Sequence, residues 1–176
     1  MPTSFFDHLL RLNHNHRQVS AGALVFERDD PVTHYYAVQS GEVHLLRRQA
    51  DGTGVILQRA NQGAILAEAS FSTDAYHCSA VAVEDSTLIV FNHQTVRDML
   101  ANDPSASHAF ATHLGREVQN ARRRAEIISL RRVADRVDAW LVWNNDILPP
   151  KGSWHRMANE IAISPEALYR ELARRR

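Results

Sequence analysis

The sequence holds one cysteine, Cys78, and one lysine, Lys151. A single cysteine excludes an internal disulfide framework and suits a reducing compartment. No run of about eighteen apolar residues occurs, so no segment reads as a membrane span. The start, Met1 to Leu12, lacks a basic segment followed by an apolar one, which argues against a secretory signal. A cytoplasmic location with no membrane partner is the expectation. Gly-x-Ser-x-Gly, His-Glu-x-x-His and Walker-type loops are also missing. Without a nucleophile–base pair or a metal constellation, an enzyme is the least supported reading. No solenoid-period repeat or low-complexity tract is present.

The 176 residues are 44% hydrophobic and 23% charged, with a formal net charge of zero. That composition supports one ordinary domain or two small ones and argues against disorder. The zero conceals an asymmetry. Residues 115–176 carry twelve Arg and one Lys against eight acids, a net of +5, and residues 1–114 carry seven bases against twelve acids, a net of −5. A basic back half suggests contact with a polyanion; a solvated, Arg-rich helix surface explains the charge equally well. The lone lysine reads as codon usage.

The first half reads as strands. Leu24–Phe26, Tyr35–Val38, Val43–Leu46, Val55–Leu57, Ala80–Val83 and Leu88–Phe91 are short β-branched or aromatic runs. Turns fall at Asp29-Asp30-Pro31, Ser40-Gly41, Asp51-Gly52 and Gly63, with Asp51-Gly52 a hairpin signal. Many short strands at this spacing imply a sandwich or barrel. The ten histidines are scattered. His14 and His16 would share a face only on a strand, and their polar flanks favour a solvated loop, so no metal site is expected. His77 and Cys78 as strand neighbours point to opposite faces, so a buried structural cysteine is favoured over a redox or haem ligand.

The second half reads as helices. Asp103 as N-cap and Pro104 at the first helical position open a long one. Along it Leu114, Val118, Ala121, Ala125 and Ile128 recur at heptad spacing, a seam that favours homodimerisation. Arg116, Arg122, Arg123 and Arg124 occupy the rest of its surface. A helix over Leu130–Trp143 follows, with Val133, Val137, Trp140 and Leu141 on one face. A loop then covers Asn144-Asn145 and Pro149-Pro150-Lys151-Gly152.

Ser153 caps a short helix with Met157, Ala158 and Ile161 inward. Ile163 lies in a tight turn, and Ser164-Pro165 starts a second helix with Leu168 and Leu172 inward. Two short helices joined this way, with small Ala158 at the crossing, form a helix-turn-helix pattern. Its second helix presents Glu166, Tyr169, Arg170 and Ala173, with Arg174 to Arg176 beyond. Such a helix lays its N-terminal residues in the DNA major groove. There Arg donates to guanine and Glu accepts from cytosine, each good contact being worth about 1–3 kcal/mol of discrimination. Arg156, Lys151 and the terminal arginines would serve phosphates. Alternatively, Glu166 and Arg170 pair with each other as an i, i+4 couple.

The order of these parts resembles the CRP/FNR superfamily of bacterial transcription regulators over nearly the whole chain. Gly22 with Asp29-Asp30, the stretch from Tyr36 ending in Ser40-Gly41-Glu42-Val43, and Asp51-Gly52 are similar to its cyclic-nucleotide-binding-type β-roll. Gly63 to Glu68 and Ser79-Ala80 are similar to its ligand cassette, and Arg136 with Leu141 and Ile163–Leu172 to its DNA-binding domain. The resemblance implies an α+β fold: an N-terminal double-stranded β-helix (jelly roll), a long dimerisation helix and a C-terminal winged helix-turn-helix. The corresponding division is a sensor β-roll over 1–103, a dimerisation helix over 104–129 and a DNA-binding domain over 130–176. The chain stops at Arg176, so the expectation is a domain without its wing. Double-stranded DNA, a second copy of the chain and RNA polymerase are the implied partners.

Further departures from the family pattern bear on function. Its cassette reads Gly-Glu and, further on, Arg-Ser-Ala, the arginine neutralising a cyclic phosphate. Here Ala67 precedes Glu68, and Cys78 stands before Ser79 and Ala80. The dimer-helix positions that would read adenine carry Ala121 and Arg122, in place of small hydroxyl side chains. An unpaired phosphate in a partly closed pocket is costly, so weak or absent cyclic AMP binding is expected unless Arg122 or Arg123 compensates. Glu68 is then a structural or different-ligand residue. On the recognition helix, Glu166 and Arg170 match the family's base readers, while Pro165 replaces a further arginine. The favoured reading is a homodimeric, sequence-specific DNA-binding regulator. A haem or redox sensor using Cys78, His77 or the N-terminal histidines is the alternative, and a small-molecule-binding β-roll without a DNA role is the third reading. The cofactor or effector is left unknown, as are the operator and the sense of regulation.

Overall fold

The structure, a computed structural model, describes residues 3–50 and 54–175. The chain divides into two compact units, Met1–Leu114 and Gly115–Arg176.

The first unit holds eight strands: β1 (His14–Val19), β2 (Leu24–Phe26), β3 (His34–Ser40), β4 (Val43–Arg48), β5 (Gly54–Ala60), β6 (Ile65–Leu66), β7 (Ser79–Ala82) and β8 (Ser86–Asn92). They form two four-stranded antiparallel sheets, ordered β1-β8-β3-β6 and β2-β7-β4-β5. Buried strand residues from both sheets, among them Val38, Val43, Leu66, Leu88 and Phe91, belong to one core. This is the expected jelly-roll arrangement. The six anticipated strands are present with ends displaced by up to three residues, and β1 and β6 are additional.

The chain passes from β3 into β4 at Gly41, whose φ of +88° suits glycine. A Cβ there would lie 2.2 Å from Ser86 Oγ and 2.7 Å from Ser86 Cα, so the connection out of β3 passes the start of the neighbouring β8 too closely for any side chain. The Asp51-Gly52 hairpin turn lies outside the described residues.

Three helices complete this unit or start in it. Helix α1 (Phe5–Leu10) begins with a capping box: Ser4 Oγ accepts from the Asp7 N–H, and the Asp7 carboxylate accepts from the Ser4 N–H. It buries Phe5 against Phe110, with ring centroids 4.8 Å apart. Helix α2 (His93–Asn102) is capped by Asn92, and α3 (Pro104–Ser129) begins one residue after α2 ends. Asp103 caps α3 as anticipated, its Oδ1 accepting from Ser105 N at 2.8 Å and Ala106 N at 3.2 Å. Helices α1 and α2 escape the sequence reading because each is short and its apolar face spans scarcely two turns.

The second unit contains the remainder of α3, then α4 (Val133–Trp143), α5 (Trp154–Glu160) and α6 (Pro165–Arg174). Its core is Ile127, Val137, Trp140, Trp154, Met157, Ala158, Ile161, Leu168 and Leu172. Helix α4 starts at Val133, not at Leu130, because the Leu130 carbonyl is taken by the Arg136 guanidinium at 2.8 Å. Ser153 precedes α5 without a side-chain cap, since a 3-10 turn at Lys151–Ser153 already leads into it. Among the described residues, no helix is long and apolar enough to cross a membrane.

Candidate functional site

Each unit presents a candidate site. In the first unit, β6 ends at Leu66 and Ala67 turns the chain with φ 74° and ψ 4° into a 3-10 turn over Glu68–Ser70. This left-handed conformation favours glycine, and alanine holds it at a cost of about 1 kcal/mol. The turn places the Glu68 side chain inside the roll, where the residue is buried. Opposite it, His77 and Cys78 lie in a bend before β7 begins.

The partly open cavity is ≈ 110 Å³, lined by Phe26, Leu45, Leu57, Gln58, Ala67–Ser70, His77 and Cys78. His77 and Cys78 lie in a bend and not in a strand, and both border the cavity, His77 from an exposed position and Cys78 from a buried one. Of the cassette residues, Ala67, Glu68 and Cys78 line it. Ser79 and Ala80 do not: Ser79 Oγ accepts from the Arg28 N–H at 3.0 Å, and Ala80 is buried in the core. Ala121 and Arg122 belong to the second unit and lie exposed on α3.

The chemistry of this cavity is that of neutral polar groups beside one carboxyl side chain. Burial, with the charge of Glu68 next, pushes the Cys78 thiol up to about 11, so the sulfur is a protonated thiol at neutral pH and a weak nucleophile. Burial, with Arg47 next, holds the His77 imidazole below its ordinary range. His77 Nδ1 lies 3.2 Å from Ser70 Oγ, and Arg47 Nη2 donates to the His77 carbonyl at 3.0 Å. Arg47 and Ser70 were not singled out from sequence, because only the fold brings β4 and the turn after β6 to this bend. A volume of ≈ 110 Å³ lies well under the roughly 300 Å³ at which pockets for drug-sized ligands begin.

His14 and His16 lie on β1, not in a loop, because β1 pairs with β8 along its whole length. The polar residues around them are tolerated on the exposed face of an edge strand.

In the second unit, α5 and α6 are joined by a turn in which Ala162 adopts φ 53°. Ser164 caps α6, its Oγ accepting from the Ala167 N–H at 3.2 Å. Leu168 and Leu172 point inward, and Ser164, Glu166, Tyr169, Arg170, Ala173 and Arg174 are exposed, as expected. The turn is held by Arg136 of α4. Its guanidinium donates to the carbonyls of Ile161 and Ala162 (3.1 and 2.9 Å), and to those of Ile128 and Leu130 (both 2.8 Å). One cation thus satisfies the carbonyls at the ends of two helices.

The exposed residues of α6 are not equivalent. No ion pair joins Glu166 to Arg170. The Glu166 carboxyl is held below its ordinary range by its own backbone N–H and by Ser164. Tyr169 rests its ring against Trp154 at 5.2 Å between centroids. Arg174 is bound to Glu171 at 2.9 Å. Arg175 bridges Glu171, Asp138 and the Ala134 carbonyl, so it ties α6 to α4 and is not free for phosphate. Arg176 lies outside the described residues.

Along α3, Val118 is 48% exposed and Ala121 and Ala125 are exposed. The outer members of the anticipated seam differ: Leu114 packs on the first unit's core, and Ile128 is half-buried beside fully buried Ile127.

The sequence matches the cyclic nucleotide-binding domain family over residues 16–103. No curated protein sequence matches significantly. Three solved structures share the fold. FixK2 of Bradyrhizobium japonicum is 16% identical with a TM-score of 0.74, over 93% of this chain and 84% of that one. The c-di-GMP-responsive global regulator CLP of Xanthomonas campestris is 18% identical with a TM-score of 0.64, over 92% and 86%. A CRP-family transcriptional regulator of Thermus thermophilus is 17% identical with a TM-score of 0.61, over 89% and 82%.

Proposed function

The chain belongs to the cyclic nucleotide-binding domain family, in a CRP/FNR-type fold, and on that premise we propose that it is a homodimeric, sequence-specific DNA-binding transcription regulator. The observation that carries the reading is α6. It is a capped helix with an apolar inner face, and an outer face that offers an acid and a guanidinium one turn apart, unpaired with each other. Arg170 donates to guanine, Glu166 accepts from a cytosine amino group, and Lys151 lies exposed for phosphate contact. Val118, Ala121 and Ala125 form the apolar part of the dimer seam, and RNA polymerase is the partner that fits such a regulator.

The effector of this regulator is not cyclic AMP bound in the usual way. The cavity holds a neutral thiol where a phosphate would need a cation, and its volume is too small for a nucleotide without rearrangement. Its protonated thiol also disfavours the redox alternative. A small neutral or diatomic-sized effector suits the space.

Selection from a random duplex library with the full chain tests the reading. The expected winner is a palindrome whose half-sites lie about one helical turn apart, roughly 34–36 Å. Enrichment of no sequence would overturn it. Calorimetry with cyclic AMP is expected to give no saturable heat.

A further inference from the structure

The outer face of the β1-β8-β3-β6 sheet carries a groove of ≈ 520 Å³ next to α1, lined by residues that include Leu10, His14, His16, Gln39 and Ile89. His14 and His16 alternate on β1 and therefore share one face. Their ring centroids are 5.6 Å apart at an interplanar angle of 75°. Each ring is oriented by a fixed acceptor: His14 Nδ1 lies 2.8 Å from the Leu12 carbonyl, and His16 Nδ1 lies 2.9 Å from Gln39 Oε1.

The Leu12 carbonyl can only accept, so in the neutral His14 ring Nδ1 carries the proton and Nε2 keeps its lone pair. At His16 the Gln39 side-chain amide engages Nδ1 and leaves Nε2 outside that contact. A ring nitrogen tied to a carbonyl with its other nitrogen bare is the arrangement that orients a histidine toward a metal. The spacing agrees as well. With metal–nitrogen bonds of about 2.0–2.1 Å, two imidazoles on one ion place their centroids about 5 Å apart at a tetrahedral angle and about 4.5 Å apart at a right angle, so the rings need to close by about 1 Å or less.

We propose that His14 and His16 form a two-imidazole site for a divalent first-row transition ion, with water completing the coordination shell. Imidazole pairs without a carboxylate or thiolate suit Cu²⁺, Ni²⁺ and Zn²⁺, with Cu²⁺ bound most tightly. Gln39, on β3, acts as a positioning residue through His16. The site lies outside the Glu68 cavity and independent of α6, so its failure leaves the regulator reading untouched.

Tag-free full-length protein titrated with Ni²⁺ by calorimetry, and with Cu²⁺ by electron paramagnetic resonance, tests the site. One ion per chain is expected, with the Cu²⁺ spectrum split by imidazole nitrogens. His16→Gln is expected to weaken Ni²⁺ binding by tenfold or more and His14→Gln/His16→Gln to remove the site. Gln39→Leu should cost about tenfold, and exposed His155→Gln should change nothing. Ni²⁺-induced NMR broadening on the unaltered protein provides a readout that needs no variant, and it is expected at β1 and Gln39. Unchanged binding in the double variant, or broadening centred elsewhere, would overturn the site.

Discussion

The two units of this chain solve the burial of polar groups in opposite ways. The buried polar side chains among the described residues are His8, Glu42, His44, Glu68, Ser70, Ser79 and Ser86, all in the first unit. The second unit's core is apolar, and its main polar tie is the single guanidinium of Arg136 against four helix-end carbonyls. Each buried polar group is costly unless paired. Under the proposed function, the first unit senses through interior groups whose state can change, and the second reads DNA with an outer face held rigid by an apolar core and one multiply bonded cation. The two units also carry opposite net charges, −5 and +5.

The contrast can be broken selectively. Trp140, Trp143 and Trp154, the only tryptophans, lie in the second unit and report its unfolding, while labelling of Cys78 reports the first. Arg136→Ala is expected to have the largest effect, destabilising the second unit by about 3 kcal/mol or more, because several carbonyls lose a charged donor. The tryptophan transition should move in denaturant and Cys78 protection should not. Gly41→Ala should do the reverse. Its Cβ would collide with Ser86 at positive φ, costing about 2–3 kcal/mol in the first unit alone.

A pH series sharpens the same comparison. Burial holds the His77 and His93 imidazoles below their ordinary value of 6.5, with Arg47 and Arg97 adding to it. Below that value the unfolded chain binds more protons than the folded one. Stability from these groups is therefore complete above pH 6.5 and declines as pH falls through and below it. The first unit should weaken as pH falls from about 6.5 to 5.5, and His77→Gln should flatten that slope. The smallest effect is a gain: Ala67→Gly relieves a left-handed alanine and should stabilise the first unit by up to about 1 kcal/mol, read as a raised midpoint.

What sequence reveals depends on how local the signal is. Ser164-Pro165 with Leu168 and Leu172 identifies α6 and its exposed residues because capping and periodicity act within one helix. Strands with β-branched runs are equally legible. The polar run of β1 is not, since His14 and His16 take their conformation from β8 and not from their neighbours. The meeting of Arg47, Ser70, His77 and Cys78 is likewise a product of the sheet order, and Arg136 shows its role only once the α5–α6 turn is packed beside it. Along α3, Leu114 shows that tertiary packing takes one position of the heptad pattern into the chain's own core, while Ile127, the buried residue of the last turn, lies outside that pattern.

In the proposed function α6 is the reader of bases. Fluorescence anisotropy with a selected operator and a scrambled duplex, for the native chain and Arg170→Ala, tests it directly. The predicted result is a loss of discrimination of about 1–3 kcal/mol per half-site, with little change in affinity for the scrambled duplex. An Arg170→Ala protein that keeps the full preference for the operator would contradict it.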